Sequence, residues 1–149
     1  MQDNSLLALS GVYHIKERLF SRLLRRHGME KLSPAQSRIL MALWEQDDIP
    51  VRQLATLTSL DKSTLSLSLA RMEQFGIIQR TGDASDRRIV RVKITDHGKD
   101  YREACSGAMQ DLTDILYHGI DEAEKRTFLR TLDRIYQNVA EQEQRMESE

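Results

Sequence analysis

The sequence predicts a mainly α-helical chain with one small β-hairpin, and three observations carry that prediction. Apolar residues recur at three- and four-residue intervals along most of the 149 residues, the spacing that lines one face of a helix. One stretch breaks the rhythm. Gly76 to Arg80 reads as a short strand, and from Ile89 the chain alternates, with Ile89, Arg91 and Lys93 on one side and Val90, Val92 and Ile94 on the other. That is the period of a half-buried strand. Between the two strands lies a polar tip carrying Asp83, Asp86 and the adjacent Arg87 and Arg88. A hairpin tipped with arginines and placed directly after a helix pair is a winged helix-turn-helix. The remaining helices would flank it as dimerisation helices.

Each element has its own signal. From Ser5 to Arg26 the residues Leu6, Leu9, Val12, Leu19, Phe20, Leu23 and Leu24 form a helical stripe, stopped by Gly28. Ser33-Pro34 supplies an N-cap and a first-turn proline, and Ile39, Leu40 and Leu43 carry a second helix to about Gln46. Asp47-Asp48-Ile49 reads as a loop that Pro50 ends. A short third helix holds Leu54, Ala55 and Leu57. Asp61 caps a fourth running to Phe75, and Gly76 accepts the left-handed dihedrals of a helix stop. After the hairpin, Thr95 caps one long helix whose face holds Tyr101, Cys105, Ala108, Leu112 and Ile115. Asp121 and Glu124 form a capping box for a last helix faced by Phe128, Leu129, Leu132, Ile135 and Val139, expected to fray from about Glu141. The lobe is bounded at 32–95, with 1–31 and 96–149 as the helical dimerisation region. The flanking helices carry more apolar surface than so small a lobe can cover, so a second copy is expected to cover them, giving a homodimer.

Composition narrows the function. No apolar run is long enough to cross a bilayer, Asp3 stands where a secretory leader would be basic, and the single Cys105 permits no internal disulfide. A reducing cytoplasm is the expected location. The formal net charge is only −1, but its distribution is uneven. Lys62 to Lys99 holds eight Lys/Arg against four Asp/Glu, and Asp121 to Glu149 holds five against eight. A basic middle with an acidic end suits a nucleic-acid-reading module joined to a solvated helical end. There is no nucleophile-elbow motif, no phosphate-cradling glycine loop and no His-Glu-x-x-His, and only seven glycines, so an enzyme is not expected.

In a helix-turn-helix the second helix enters the major groove, and its first turns meet base edges. Turning Leu65, Leu69 and Met72 inward leaves Lys62, Ser63, Thr64, Ser66, Leu67 and Ser68 toward the groove or its rim. Lys62 suits phosphate, and the hydroxyls suit phosphate or bases. Arg52, at the start of the third helix, is a further phosphate candidate. Arg87 and Arg88 suit the concentrated negative potential of a narrow minor groove.

The wing resembles that of the MarR-type regulators (multiple antibiotic resistance regulators): Asp86-x-Arg88, then alternating apolar positions ending Val92-x-Ile94-Thr95. Ser33-Pro34-Ala35-Gln36 and Asp61-Lys62-Ser63-Thr64-Leu65-Ser66 are similar to that family as well, and the resemblance runs over nearly the whole chain. It implies a transcriptional regulator, usually a repressor, on double-stranded DNA at a near-palindromic operator. It also implies an effector held where the DNA lobe meets the dimer helices, often a small aromatic acid, a metal or an oxidant. Tyr13 and His14 on the first helix, with Arg38 on the second, are the residues here that suit an anionic aromatic ligand. Ser37 stands where the family frequently has a bulky aromatic, leaving room. Leu67 stands where it commonly has arginine. Leucine cannot grip guanine O6/N7 but can touch a thymine methyl, which points to an A/T-rich target.

No metal and no cofactor are expected. Asp114 and His118 share a helical face, but no third ligand joins them. Cys105 falls on an apolar stripe and reads as a small core residue. The rival to DNA reading is a helical protein–protein interaction module of the same fold, and Arg87 and Arg88 speak against it.

Overall fold

The structure, a computed structural model, describes residues 4–149 in two units, one ending at Leu112 and the other running from Thr113 to Glu149.

The first unit opens with α1 (Ser5–Arg26), whose closing Arg25 and Arg26 sit favourably at the negative end of the helix dipole. Only Phe20, Leu23 and Leu24 of this helix are buried, so its first half offers apolar residues to solvent. Gly28, at φ 79°, turns the chain. In α2 (Pro34–Glu45) the Ser33 hydroxyl accepts from the Gln36 amide while the Gln36 side chain accepts from the Ser33 amide. This reciprocal cap satisfies two otherwise orphaned donors. Ile39, Leu40 and Leu43 then point into the core.

Next come β1 (Ile49–Pro50), α3 (Val51–Thr58) and α4 (Lys62–Gln74). Ser59 between the two helices is left-handed, at φ 53°, which makes the sharp corner of the helix-turn-helix. Leu65, Leu69 and Met72 of α4 are buried as the periodicity requires. After Gly76 the chain forms β2 (Ile78–Gly82) and β3 (Val90–Ile94), paired antiparallel from Ile78↔Ile94 to Gly82↔Val90. The sheet has three strands, in the order β1-β3-β2. The loop expected at Asp47-Asp48-Ile49 thus ends in a strand, with Ile49 opposite Val92 and Pro50 opposite Arg91. Two residues are too few to show alternation, and an edge strand is where proline is tolerated.

The single long helix expected after Thr95 is two: α5 (Asp96–Lys99) and α6 (Arg102–Leu116). At the joint the Asp100 amide donates to His97 and the Tyr101 amide to Gly98, at 3.2 and 3.3 Å. Such three-residue spacing tightens the turn. α5 lies close against the hairpin root. A Cβ at Gly98 would collide with the Ile77 carbonyl oxygen and stand 2.7 Å from Ile94 Cγ1. α6 is tied to the end of α1 by His27 Nε2 and Asp111 Oδ2, 2.8 Å apart, and Gly107 leaves room for that ring. Cys105 is fully buried among these helices, as its place on the stripe predicts.

The second unit holds the end of α6, a turn at Gly119 (φ 76°), and α7 (Glu122–Glu147). Asp121 and Glu124 form the expected capping box. Tyr117 meets Phe128 edge-on, and the Lys125 ammonium sits 4.5 Å from the Tyr117 ring centre. α7 continues past Glu141, where the apolar stripe ends, because its last turns are Glu, Gln, Arg and Met, all good helix formers. None of its residues is buried.

Candidate nucleic-acid interface

α3, α4 and the wing enclose a groove of about 740 Å³. Arg52, Gln53 and Thr56 line it from α3, Ser66 from α4, and Arg80 and Arg88 from the wing, over an apolar floor that includes Leu69 and Val90. Three arginines thus border one concavity, Arg80 paired with Glu73 and Arg88 with Asp86.

Along α4 the structure sorts the expected residues. Lys62, Ser63 and Ser66 are exposed, and Leu67 is 59% exposed. Thr64 is half-buried and engaged in the cap: its amide donates to Asp61 Oδ1 at 2.8 Å and its hydroxyl to Oδ2 at 2.7 Å. Those two bonds hold the Asp61 carboxyl below its ordinary range, the amide bond contributing most. Ser68 stands apart from the other five. It is only 7% exposed and lies on the core side beside Leu69, because α4 buries a face wide enough to include it. Arg52 is exposed at the start of α3.

The wing tip is built around two aspartates. Asp83 Oδ1 accepts from the Ser85 hydroxyl at 2.6 Å, the Ser85 amide at 2.9 Å and the Asp86 amide at 3.3 Å. Ser85, followed by Arg91, holds the Asp83 carboxyl down at about 2, against an ordinary 3.8. Asp86 grips Arg88 through both carboxylate oxygens, each bond 3.1 Å long, and accepts the Arg88 amide. The Arg88 guanidinium lowers the Asp86 carboxyl in turn. Arg88 is nonetheless 90% exposed, and Arg87 is exposed beside it.

Gln53, Thr56 and Arg80 were not singled out in the sequence, although the structure sets all three in the groove. Gln53 and Thr56 follow Arg52 on the exposed side of a short helix, and that spacing was the available signal. Arg80 lies in β2 and is paired with Glu73 of α4 at 2.6 Å. A pair seven residues apart across a helix stop leaves no periodic trace.

The residues expected to hold an effector are not gathered at one open site. The Tyr13 and His14 rings meet edge-on, 5.4 Å apart, with the Lys16 ammonium 5.1 Å from the Tyr13 ring centre. Arg38 donates to the Thr58 carbonyl at 3.4 Å and to Glu17 at 3.5 Å. Ser37 is fully buried, and its hydroxyl finds no full hydrogen bond. It lies by Cys105, whose thiol burial pushes up to about 11, with Ser37 weakly opposing. The Cys105 Sγ contacts Met29 Sδ at 3.3 Å. Among the described residues no three of His, Cys, Asp and Glu converge as metal ligands, Asp114 and His118 included, and no helix is long and apolar enough to cross a membrane.

Comparison with known proteins now bears on this arrangement. The family model described as the MarR family matches residues 32–90. The transcriptional regulator TtmR of Methylorubrum extorquens is 32% identical over 92 residues, which are 62% of this chain and 46% of TtmR. The regulator MgrA of Staphylococcus aureus is 30% identical over 94 residues, 63% of this chain and 64% of MgrA. The match therefore spans less than two thirds of either relative. A variant of E. coli MarR, crystallised with operator DNA, superposes with a TM-score of 0.72 at 25% identity, covering 89% of this chain and 96% of its own. The fold agrees over nearly nine tenths of the chain, and the family model matches the winged lobe: over that lobe the chain is similar to the MarR family.

Proposed function

We propose that this chain is a sequence-specific DNA-binding transcriptional regulator acting as a homodimer on a near-palindromic operator. One observation carries the reading: Ser66 of α4 and Arg88 of the wing line the same groove as Arg52, with Lys62, Ser63, Leu67 and Arg87 exposed on the same two elements. With α4 in the major groove, Ser63, Ser66 and Leu67 reach base edges and Lys62 and Arg52 reach phosphates, while Thr64 holds the helix start in shape. Arg87 and Arg88 enter the flanking minor groove, Arg88 presenting its exposed side chain while Asp86 holds it. The E. coli neighbour that shares the fold is described with operator DNA, which supports the same partner here. Residues 32–95 form the reading lobe, and 1–31 with 96–149 the dimerisation region, in a protein working in the cytoplasm.

Repression by covering a promoter, relieved by a small aromatic acid, is the regulatory reading. Arg38 would leave Glu17 for the ligand carboxylate beside Tyr13 and His14. Ser37 would take part only if the packing around Cys105 opened, since it is fully buried.

Selection of bound duplexes from randomised DNA tests the proposal. The unaltered chain should enrich one near-palindromic sequence. Alanine at both Arg87 and Arg88 should weaken that binding by at least about 1–3 kcal/mol, the worth of one good contact, with the helical content unchanged. No enrichment would overturn the reading of DNA, and full affinity in the double variant would overturn the role of the wing.

A further inference from the structure

We infer that Arg91 is the positioning residue of the wing, clamping the hairpin tip to the α2–β1 turn so that Arg87 and Arg88 meet DNA already ordered. The inference rests on the DNA-reading proposal and adds to it the means by which the tip is aimed.

Arg91 sits in the middle strand of the sheet, opposite Thr81 of β2 and Pro50 of β1. Its guanidinium reaches in two directions. Nε donates to Asp48 Oδ1 at 3.1 Å and a terminal nitrogen donates to the Asp48 carbonyl oxygen. The other terminal nitrogen donates to Asp83 Oδ2 at 3.1 Å. Asp48 belongs to the turn before β1, where it holds a left-handed φ of 53°. Asp83 opens the wing tip, and its second oxygen organises Ser85 and Asp86. Asp86 in turn grips Arg88. An unbroken polar chain thus runs from the body of the lobe through Arg91 to the DNA-facing arginine.

The tip needs such a tie. The hairpin is anchored by apolar contacts at its root, where Val92 and Ile94 are buried, but Ile89 and Val90 near the tip are 37% and 43% exposed. A two-stranded ribbon without an apolar face is marginal in water. Arg91 is suited to the task because its planar fork holds its donors in fixed directions toward Asp48 and Asp83, whereas a lysine offers a compact point charge on a flexible stem. Two aspartates around one arginine also leave a net negative charge, so this cluster repels phosphate and does not serve as a DNA contact itself. The sequence carries the long-range half of the clamp silently, since Asp48 and Arg91 are 43 residues apart.

Charge and position make opposite demands, which provides the test. Asp48→Gly removes a negative charge while suiting the left-handed backbone, and Arg91→Lys keeps the positive charge while losing the fork. Binding is measured on the duplex the unaltered chain enriches most, alongside hydrogen exchange at the Asp83 and Ile89 amides, which close the tip by bonding Ile89 and Asp86. Each variant should bind about tenfold more weakly or worse, as expected for a lost charge-assisted hydrogen bond. Each should also exchange faster at the tip, with the Leu69 and Met72 amides unchanged. Tighter binding by Asp48→Gly with full affinity in Arg91→Lys would show that only charge matters and would overturn the inference. If the unaltered chain enriches no duplex, the DNA reading fails on its own. The exchange comparison then still decides the clamp: faster tip exchange supports it, and unaltered exchange overturns it.

Discussion

Leu67 stands 59% exposed beside Ser63 and Ser66 on α4, where the core gives a leucine nothing to pack on. If it meets a thymine methyl, Leu67→Arg should shift base preference at one position per half-site toward guanine. A general gain of charge would instead tighten binding to every sequence and steepen its salt dependence equally on all. Selection on randomised DNA separates the two, and uniform tightening would place Leu67 outside base-reading range. Asp83 gives a second prediction. Its carboxyl is held at about 2 in the folded wing against an ordinary 3.8, so folding favours the charged form. Its contribution to wing order is complete above about pH 4 and is lost as the pH falls through about 2. Resonances of Ser85 and Asp86 should therefore follow a transition near 2, and a midpoint near 3.8 would mean that the Ser85 and Arg91 bonds do not persist in solution. These residues also mark what the sequence discloses at this scale. Helical spacing put Leu67 on the surface and the polar hairpin tip put Arg88 there, but the same spacing put Ser68 there too, because it cannot tell how wide a buried face is.

Capping chemistry and period made the helices legible, and the caps at Ser33, Asp61, Thr95 and Asp121 all form. What escaped depends on contacts across the chain. β1 exists through its pairing with β3, and α5 separates from α6 where the chain bends beside the hairpin root. The junction can be tested at Gly98. Thr95 donates through its hydroxyl to the Gly76 and Ile77 carbonyls, at 2.6 and 2.9 Å, and caps α5 by accepting from the Gly98 amide at 3.0 Å. A methyl group at residue 98 would meet the backbone oxygen of Ile77, which cannot swing aside as a side chain can. Alanine usually gains about 1 kcal/mol over glycine inside a helix. Here Gly98→Ala should instead destabilise by about 1–3 kcal/mol, the usual cost of overpacking. Thermal unfolding by circular dichroism reads the sign directly, and a raised melting temperature would show that α5 has room to move from the sheet.

At the scale of the whole molecule, the open question is what covers the apolar residues that one copy leaves in water. On α7, Phe128, Leu129, Leu132, Ile135, Tyr136 and Val139 follow helical spacing, and all are at least 38% exposed. In the first unit the first half of α1 adds Leu6, Leu9, Val12 and Ile15, each at least 43% exposed. Contiguous stripes of this kind mark interaction surfaces on soluble chains, and the proposed homodimer supplies the partner. Leu132 is the least exposed of the α7 stripe, at 38%, so it already sits deepest among its neighbours. Leu132→Asp forfeits the burial of a leucine in each copy, worth about 1.5–3 kcal/mol, and sets a carboxylate where water is to be excluded. The variant should sediment as a monomer at concentrations where the unaltered chain is a dimer. Its affinity for a near-palindromic duplex should fall with it, because each half-site is then bound alone. α7 itself should stay helical, since its capping box and helix-forming residues are untouched. A folded Leu132→Asp protein that still sediments as a dimer would move the interface off this stripe, and the exposed residues of α1 would be the next surface to charge.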